Sequence, residues 1–129
     1  MEVNVTNENM DYHAVAGSGM ELSIVFGEEK PQEDKSMNPI ELFLSSLGLC
    51  IAAMLRKYCA SHDIDAPEIK VSISGDFQPG DEACQNIRAR VEIPGDWDER
   101  RKAAFMKVAE TCPVHNTICA CGHVDVEVA

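Results

Sequence analysis

From Leu42 to Leu55 the chain runs fourteen residues without a charge, inside the longer stretch NPIELFLSSLGLCIAAMLRKYCASH at 38–62. Asn38-Pro39 predicts a helix start, a capping side chain followed by proline at the first helical position. Ile40, Leu44, Leu47, Ile51, Met54, Leu55 and Tyr58 recur at steps of three and four, the helical period. The gaps hold Ser45, Ser46, Gly48, Ala52 and Ala53 rather than charges. A helix apolar all round has to be buried. The uncharged run falls short of the roughly 20 residues that cross a bilayer, so no stretch reads as transmembrane. Ser45, Gly48 and Ala52 share a face on which another backbone can approach closely. Cys50 sits in the middle of this element, either as inert packing or as the centre of the chemistry.

Around this helix the apolar periodicity has a different step. Val3 and Val5, Tyr12 to Ala16, and Leu22, Ile24 and Phe26 predict three short strands, with Gly17-Ser18-Gly19 turning between the second and third. Gly27 to Met37 is polar and reads as an exposed loop. Beyond the helix, Ile69, Val71 and Ile73 alternate with polar residues, as do Ile87, Ala89, Val91 and Ile93, predicting a half-buried hairpin across Gln78-Pro79-Gly80-Asp81. Asp96 with Glu99 three residues on predicts the start of an amphipathic helix that runs to about Glu110. A short helix begins at Cys112-Pro113, and Val124, Val126 and Val128 predict a last strand. Hairpin-linked strands with helices grouped between them point to an antiparallel α+β fold in a single domain over 1–129. One small sheet cannot cover a helix that is apolar all round. A partner chain would cover the other side, so a homodimer is expected.

Charge removes several classes of partner. Eleven basic against twenty-two acidic residues give a net charge of −11. Nucleic acid and anionic membrane both need a basic surface, so neither is expected as a partner. The start, MEVNVTNENM, lacks a basic run followed by an apolar segment, so it does not read as a signal peptide. The expected compartment is the reducing cytoplasm, where six cysteines serve metal binding or catalysis more readily than structural disulfides. Cys112-Pro113 is the second informative site. Proline in the first turn places Cys112 at a helix N-cap, where free amides and the macrodipole favour an anion and lower a thiol pKa. His115 lies three residues on, close enough to assist. The motif fits equally a cysteine that merely caps a helix.

NPIELFLSSLGLC followed some sixty residues later by CPVHNTI resembles the OsmC/Ohr family of thiol-dependent hydroperoxide-reducing proteins. The order of strands and helices is similar to that family's over nearly the whole chain. The resemblance implies an intertwined homodimer with two long helices at its centre and active sites at the interface. It implies Cys50 as the peroxidatic cysteine and Cys112 as the resolving one. It further implies an organic hydroperoxide substrate and an external dithiol reductant, often of lipoyl type, with no separate cofactor and no metal. Two positions depart from the family pattern. The family's well-characterised peroxidases carry glutamate directly after Asn-Pro, where this chain has Ile40, and Glu41 follows one residue later, about 100° around the helix. They also place an arginine in the N-terminal strands or the next loop, whereas this chain has none before Arg56. Lys30 and Lys35 are the cations upstream of the helix, and lysine lacks the bidentate fork.

The remaining cysteines carry weaker signals. Cys59 lies nine residues after Cys50, on the opposite side of the helix, and reads as packing. Cys84 lies in or beside a turn. Cys119, Cys121 and His123 form C-A-C-G-H near the expected last strand. Two alternatives to the peroxidase therefore stand: a redox or small apolar ligand-binding protein on the same fold, and a metal-binding protein using the C-terminal cysteines with His115 or His123.

Overall fold

The computed structural model describes residues 1–25, 34 and 36–129. Lys30, Lys35, Phe26 and most of the predicted loop lie outside the described residues. Two compact units are present, Met1–Leu42 and Phe43–Ala129.

In the first unit, β1 (Val3–Glu8), β2 (Asp11–Ala16) and β3 (Glu21–Val25) form an antiparallel meander in that order. The β1–β2 turn uses Asn9 at φ 53°, a left-handed conformation that asparagine tolerates. The β2–β3 turn uses Gly19 at φ 86°, as Gly17-Ser18-Gly19 predicted. The long helix α1 (Pro39–Ser61) begins at the predicted Asn38-Pro39. Asn38 Oδ1 accepts the Glu41 N–H at 2.9 Å, and Glu41 Oε2 accepts the Asn38 N–H at 2.9 Å. This reciprocal box satisfies two amides that a helix start otherwise leaves open.

The second unit holds the rest of α1, then β4 (Lys70–Asp76), β5 (Gln85–Glu92), α2 (Glu99–Glu110) and α3 (Pro113–Ala120). β4 and β5 pair antiparallel, with Val71 opposite Val91 and Ile73 opposite Ala89, and the predicted alternation puts these four on one face. Against that face α1 buries Leu47, Ile51, Leu55 and Cys59, which with Ala66, Phe105 and Cys112 form the core. A Cβ placed on Gly48 would stand 3.2 Å from Ile73 Cγ1. The small residue lets the helix backbone come down onto β4, and the face expected for close approach meets the sheet.

Three expectations need correction. The α2 cap is Asp98, not Asp96: Asp98 Oδ1 accepts the Arg101 N–H at 2.8 Å. The turn before it lasts two residues longer because Gly95 adopts φ 142° and Trp97 folds back to donate its Nε1–H to Ile93 O at 2.9 Å. Residues 121–129 form no strand; the alternation is there, but a strand also needs a hydrogen-bonded neighbour, and Val126 stands 85% exposed. In the single chain Leu49 of α1 is 72% exposed on the side away from the sheet, the side that one small sheet leaves uncovered. Finally, at 23 residues α1 is long and apolar enough to cross a membrane by length and composition. The same four-residue apolar row that gives it that character fills the core of the second unit.

Candidate active site

Helix α1 carries Cys50 midway along its length, half-buried, and α3 carries Cys112 at its start, fully buried. Pro113 occupies the first turn of α3, as its fixed φ favours. Cys112 takes the extended backbone of an N-cap, and its Sγ accepts the His115 N–H at 3.3 Å. The predicted capping geometry is therefore present. Cys50 packs against the core cluster that includes Cys112 and acts on its thiol, so the two thiols that the motifs singled out, 62 residues apart in the chain, are neighbours in the fold. Both are free thiols.

The electrostatics differ from the expectation for a helix N-cap. Burial pushes the Cys112 thiol above its ordinary value, and the neighbouring Cys50 pushes the same way. The amides of His115 and Val114 pull it down without reversing the sign. The N-cap effect is real, but desolvation of a fully buried sulfur outweighs it.

The supporting residues fall in three places. Glu41 is held at the start of α1 by its capping bond to Asn38. His115 assists Cys112 through its backbone amide, while its ring turns the other way, with Nε2 3.8 Å from Cys119 Sγ. Among the described residues His115 Nδ1 is buried without a hydrogen-bond partner. Lys30 and Lys35 lie outside the described residues.

Of the other thiols, Cys59 is fully buried, and burial raises its pKa against the charges of Arg56 and Arg101. Those arginines are engaged elsewhere, Arg56 with Ala66 O at 2.9 Å and Arg101 with the Tyr58 hydroxyl at 2.8 Å. Cys84 packs over Gly75, where a Cβ would collide with its sulfur. Cys121 donates to His123 O at 3.5 Å, and His123 pairs with Asp125 at 3.0 Å. Among the described residues no three His, Cys, Asp or Glu side chains gather as a metal site.

A groove of about 890 Å³ opens between α1, β5, α2 and α3. Its walls are apolar, with Ile51, Val91, Trp97 and Phe105 among them, and His115 and Cys119 stand on one side. Neither Cys50 nor Cys112 lines it. The sequence groups His115 with the C-terminal cysteines only as candidate metal ligands; its direct pairing with Cys119 as thiol and imidazole comes from the structure. Its signal was their spacing of four on one helix, which places side chains on the same face.

The family model for OsmC-like proteins matches residues 32–128. The chain belongs to the OsmC/Ohr family. No curated protein matches it. Solved structures share its fold. An OsmC-like protein from Mycoplasma pneumoniae superimposes with a TM-score of 0.70 at 20% identity, covering 93% of this chain and 89% of that one. The organic hydroperoxide resistance protein OhrB of Bacillus subtilis does so with a TM-score of 0.59 at 19% identity, covering 92% and 90%. An organic hydroperoxide resistance protein OsmC from Legionella pneumophila gives 0.60 at 18%, covering 93% and 90%. The antiparallel α+β architecture is thus the OsmC/Ohr fold, as the NPIELFLSSLGLC and CPVHNTI motifs implied.

Proposed function

We propose that this protein reduces organic hydroperoxides through a two-cysteine cycle. The observation that carries the reading is the neighbouring pair of free thiols, Cys50 and Cys112. Membership of a family whose named relatives include hydroperoxide resistance proteins supports it. The Cys50 thiolate attacks the distal oxygen of the hydroperoxide. The O–O bond breaks, the alkoxide leaves and takes a proton to become an alcohol, and Cys50 becomes a sulfenic acid, oxidised by two electrons. Cys112 then attacks the Cys50 sulfur, and its thiol proton leaves with the sulfenic oxygen. Water leaves, and a Cys50–Cys112 disulfide forms. An external dithiol, of lipoyl type, restores both thiols by exchange. Free thiols at the start of the cycle suit a reducing compartment, and we assign the protein to the cytoplasm. The exposed apolar side of α1, with Leu49 at its centre, suits a second copy, so the working form is a homodimer.

The test is intact-mass and peptide analysis of reduced protein mixed with one equivalent of cumene hydroperoxide or hydrogen peroxide. The reading expects a rapid loss of two hydrogens mapped to Cys50–Cys112, faster with the organic peroxide. Slow oxidation scattered over Cys84, Cys119 and Cys121, with Cys50 untouched, would overturn it. The groove supports a second reading, a small apolar ligand-binding protein on the same fold. That reading expects ligand-dependent thermal stabilisation that survives Cys50→Ser.

A further inference from the structure

We propose that Cys119 and His115 form a second reactive thiol site on the wall of the apolar groove, one that captures apolar α,β-unsaturated carbonyl compounds as thioethers. Three independent observations converge there. The Cys119 sulfur is 3.8 Å from His115 Nε2, within reach of a thiol–imidazole hydrogen bond. The other ring nitrogen, Nδ1, is buried and has no hydrogen-bond partner among the described residues. A histidine kept for structure normally satisfies both nitrogens, and an unsatisfied buried one calls for a reason. Here the ring's hydrogen bonding is directed at a single group, the thiol. Both side chains line a groove of about 890 Å³, the size of a small-molecule site, with aromatic and aliphatic walls.

The chemistry of the ligand follows from what surrounds the thiol. Among the described residues the Cys119 sulfur hydrogen-bonds His115 and no second thiol, while Cys121 two residues on caps the end of α3 and donates to His123 O. A peroxide would leave Cys119 stranded as a sulfenic acid, whereas a conjugate addition finishes in one step. Glu92, Lys102 and Glu110 at the groove and the chain's net charge of −11 favour a neutral ligand over a fatty-acid anion. In the reaction the Cys119 sulfur forms a C–S bond to the β-carbon of the enal. The π pair of the double bond moves towards the carbonyl. The thiol proton passes to His115 Nε2 and ends on the α-carbon. No oxidant or reductant is consumed.

The experiment compares trans-2-nonenal with acrolein on the reduced full chain, following adducts by peptide mass. Cys121, also exposed and two residues away, is the internal comparator. The proposal expects nonenal to add to Cys119 ahead of Cys121, with a preference for the long aldehyde over acrolein that Cys121 lacks. His115→Gln should slow the Cys119 addition by about tenfold or more, the scale of lost proton-transfer assistance, with Cys121 unaffected. Equal rates at Cys119 and Cys121 with either aldehyde would overturn the proposal. So would a His115→Gln protein that folds and reacts as fast. The chain-length comparison needs no variant, so it decides the matter even if His115→Gln fails to fold.

Discussion

The Cys112 sulfur accepts the backbone N–H of His115 at 3.3 Å, yet its thiol holds its proton more tightly than a free cysteine does. One well-placed amide does not compensate a sulfur for complete removal from water. The consequence is a pH-dependent stability. A raised folded-state pKa means that the unfolded chain gives up its thiol proton first as pH rises. The stabilising difference is fully present below about pH 8.5, the ordinary thiol value, and is lost as pH climbs through the folded value. Cys59 is shifted the same way by burial. Thermal unfolding of the reduced protein should therefore hold a steady midpoint from neutral pH to about 8.5 and fall above it. Cys59→Ala and Cys112→Ala should each flatten that fall.

Asn38 and Glu41 close a capping box at the start of α1. Removing the Asn38 side chain should cost about 1 kcal/mol, the usual cost of a lost N-cap, measured by urea unfolding. Glu41→Gln keeps an acceptor for the Asn38 amide and should stay within about 0.5 kcal/mol of the parent, as surface substitutions generally do. Because Glu41 is held by the cap, Glu41→Gln should also leave the rate of hydroperoxide-driven disulfide formation unchanged. A large loss of that rate in a stably folded Glu41→Gln protein would move Glu41 from the cap to the chemistry.

Much of this was readable from residues alone, and the misses share a cause. The meander, α1 with its Asn38-Pro39 start, the β4–β5 hairpin and the Cys112 cap are local: each is written in periodicity, turn residues and capping side chains within a few positions. Asp96 and Asp98 are equally good caps by type. What decides between them is Trp97 folding back onto Ile93, a contact that spacing does not reveal. The Val124–Val128 alternation states which face would be apolar but not whether a neighbouring strand exists to pair with it. The thiol pKa directions depend on burial by elements distant in the chain. Cys50 and Cys112 were paired through family resemblance, because nothing in local pattern joins residues 50 and 112. The His115–Cys119 pair is legible by its spacing of four, but residue types alone fit a metal site there as well as a thiol–imidazole pair.

Gly48 is where α1 comes closest to β4, with Ile73 Cγ1 3.2 Å from where a Cβ would be. Alanine there would gain helix propensity of up to about 1 kcal/mol while pressing on a side chain end that can shift slightly. Valine adds two branches into the same contact. Gly48→Val should therefore destabilise by about 1–3 kcal/mol, the usual cost of overpacking, with Gly48→Ala much nearer the parent. Urea unfolding of the two variants side by side checks the order. A Gly48→Val protein as stable as the parent would show that helix and strand can separate at no cost.

Leu49 lies in the middle of α1, 72% exposed in the single chain, with Phe43 also exposed nearby at 41%. Ser46 and Ala53, small and exposed, flank Leu49 and leave room for a second helix to approach. Leaving such a stripe in water forgoes about 25 cal/mol for each Å² of apolar surface, and a self-complementary patch on a two-fold axis removes it with one interface. Sedimentation should therefore find the parent as a dimer. Leu49→Asp would bury two like charges against each other across that axis, and it should sediment as a monomer while keeping its helical circular dichroism. A parent that sediments as a monomer at micromolar concentration would sink the dimer outright. A Leu49→Asp protein that stays dimeric would mean that the two chains meet through a surface other than α1.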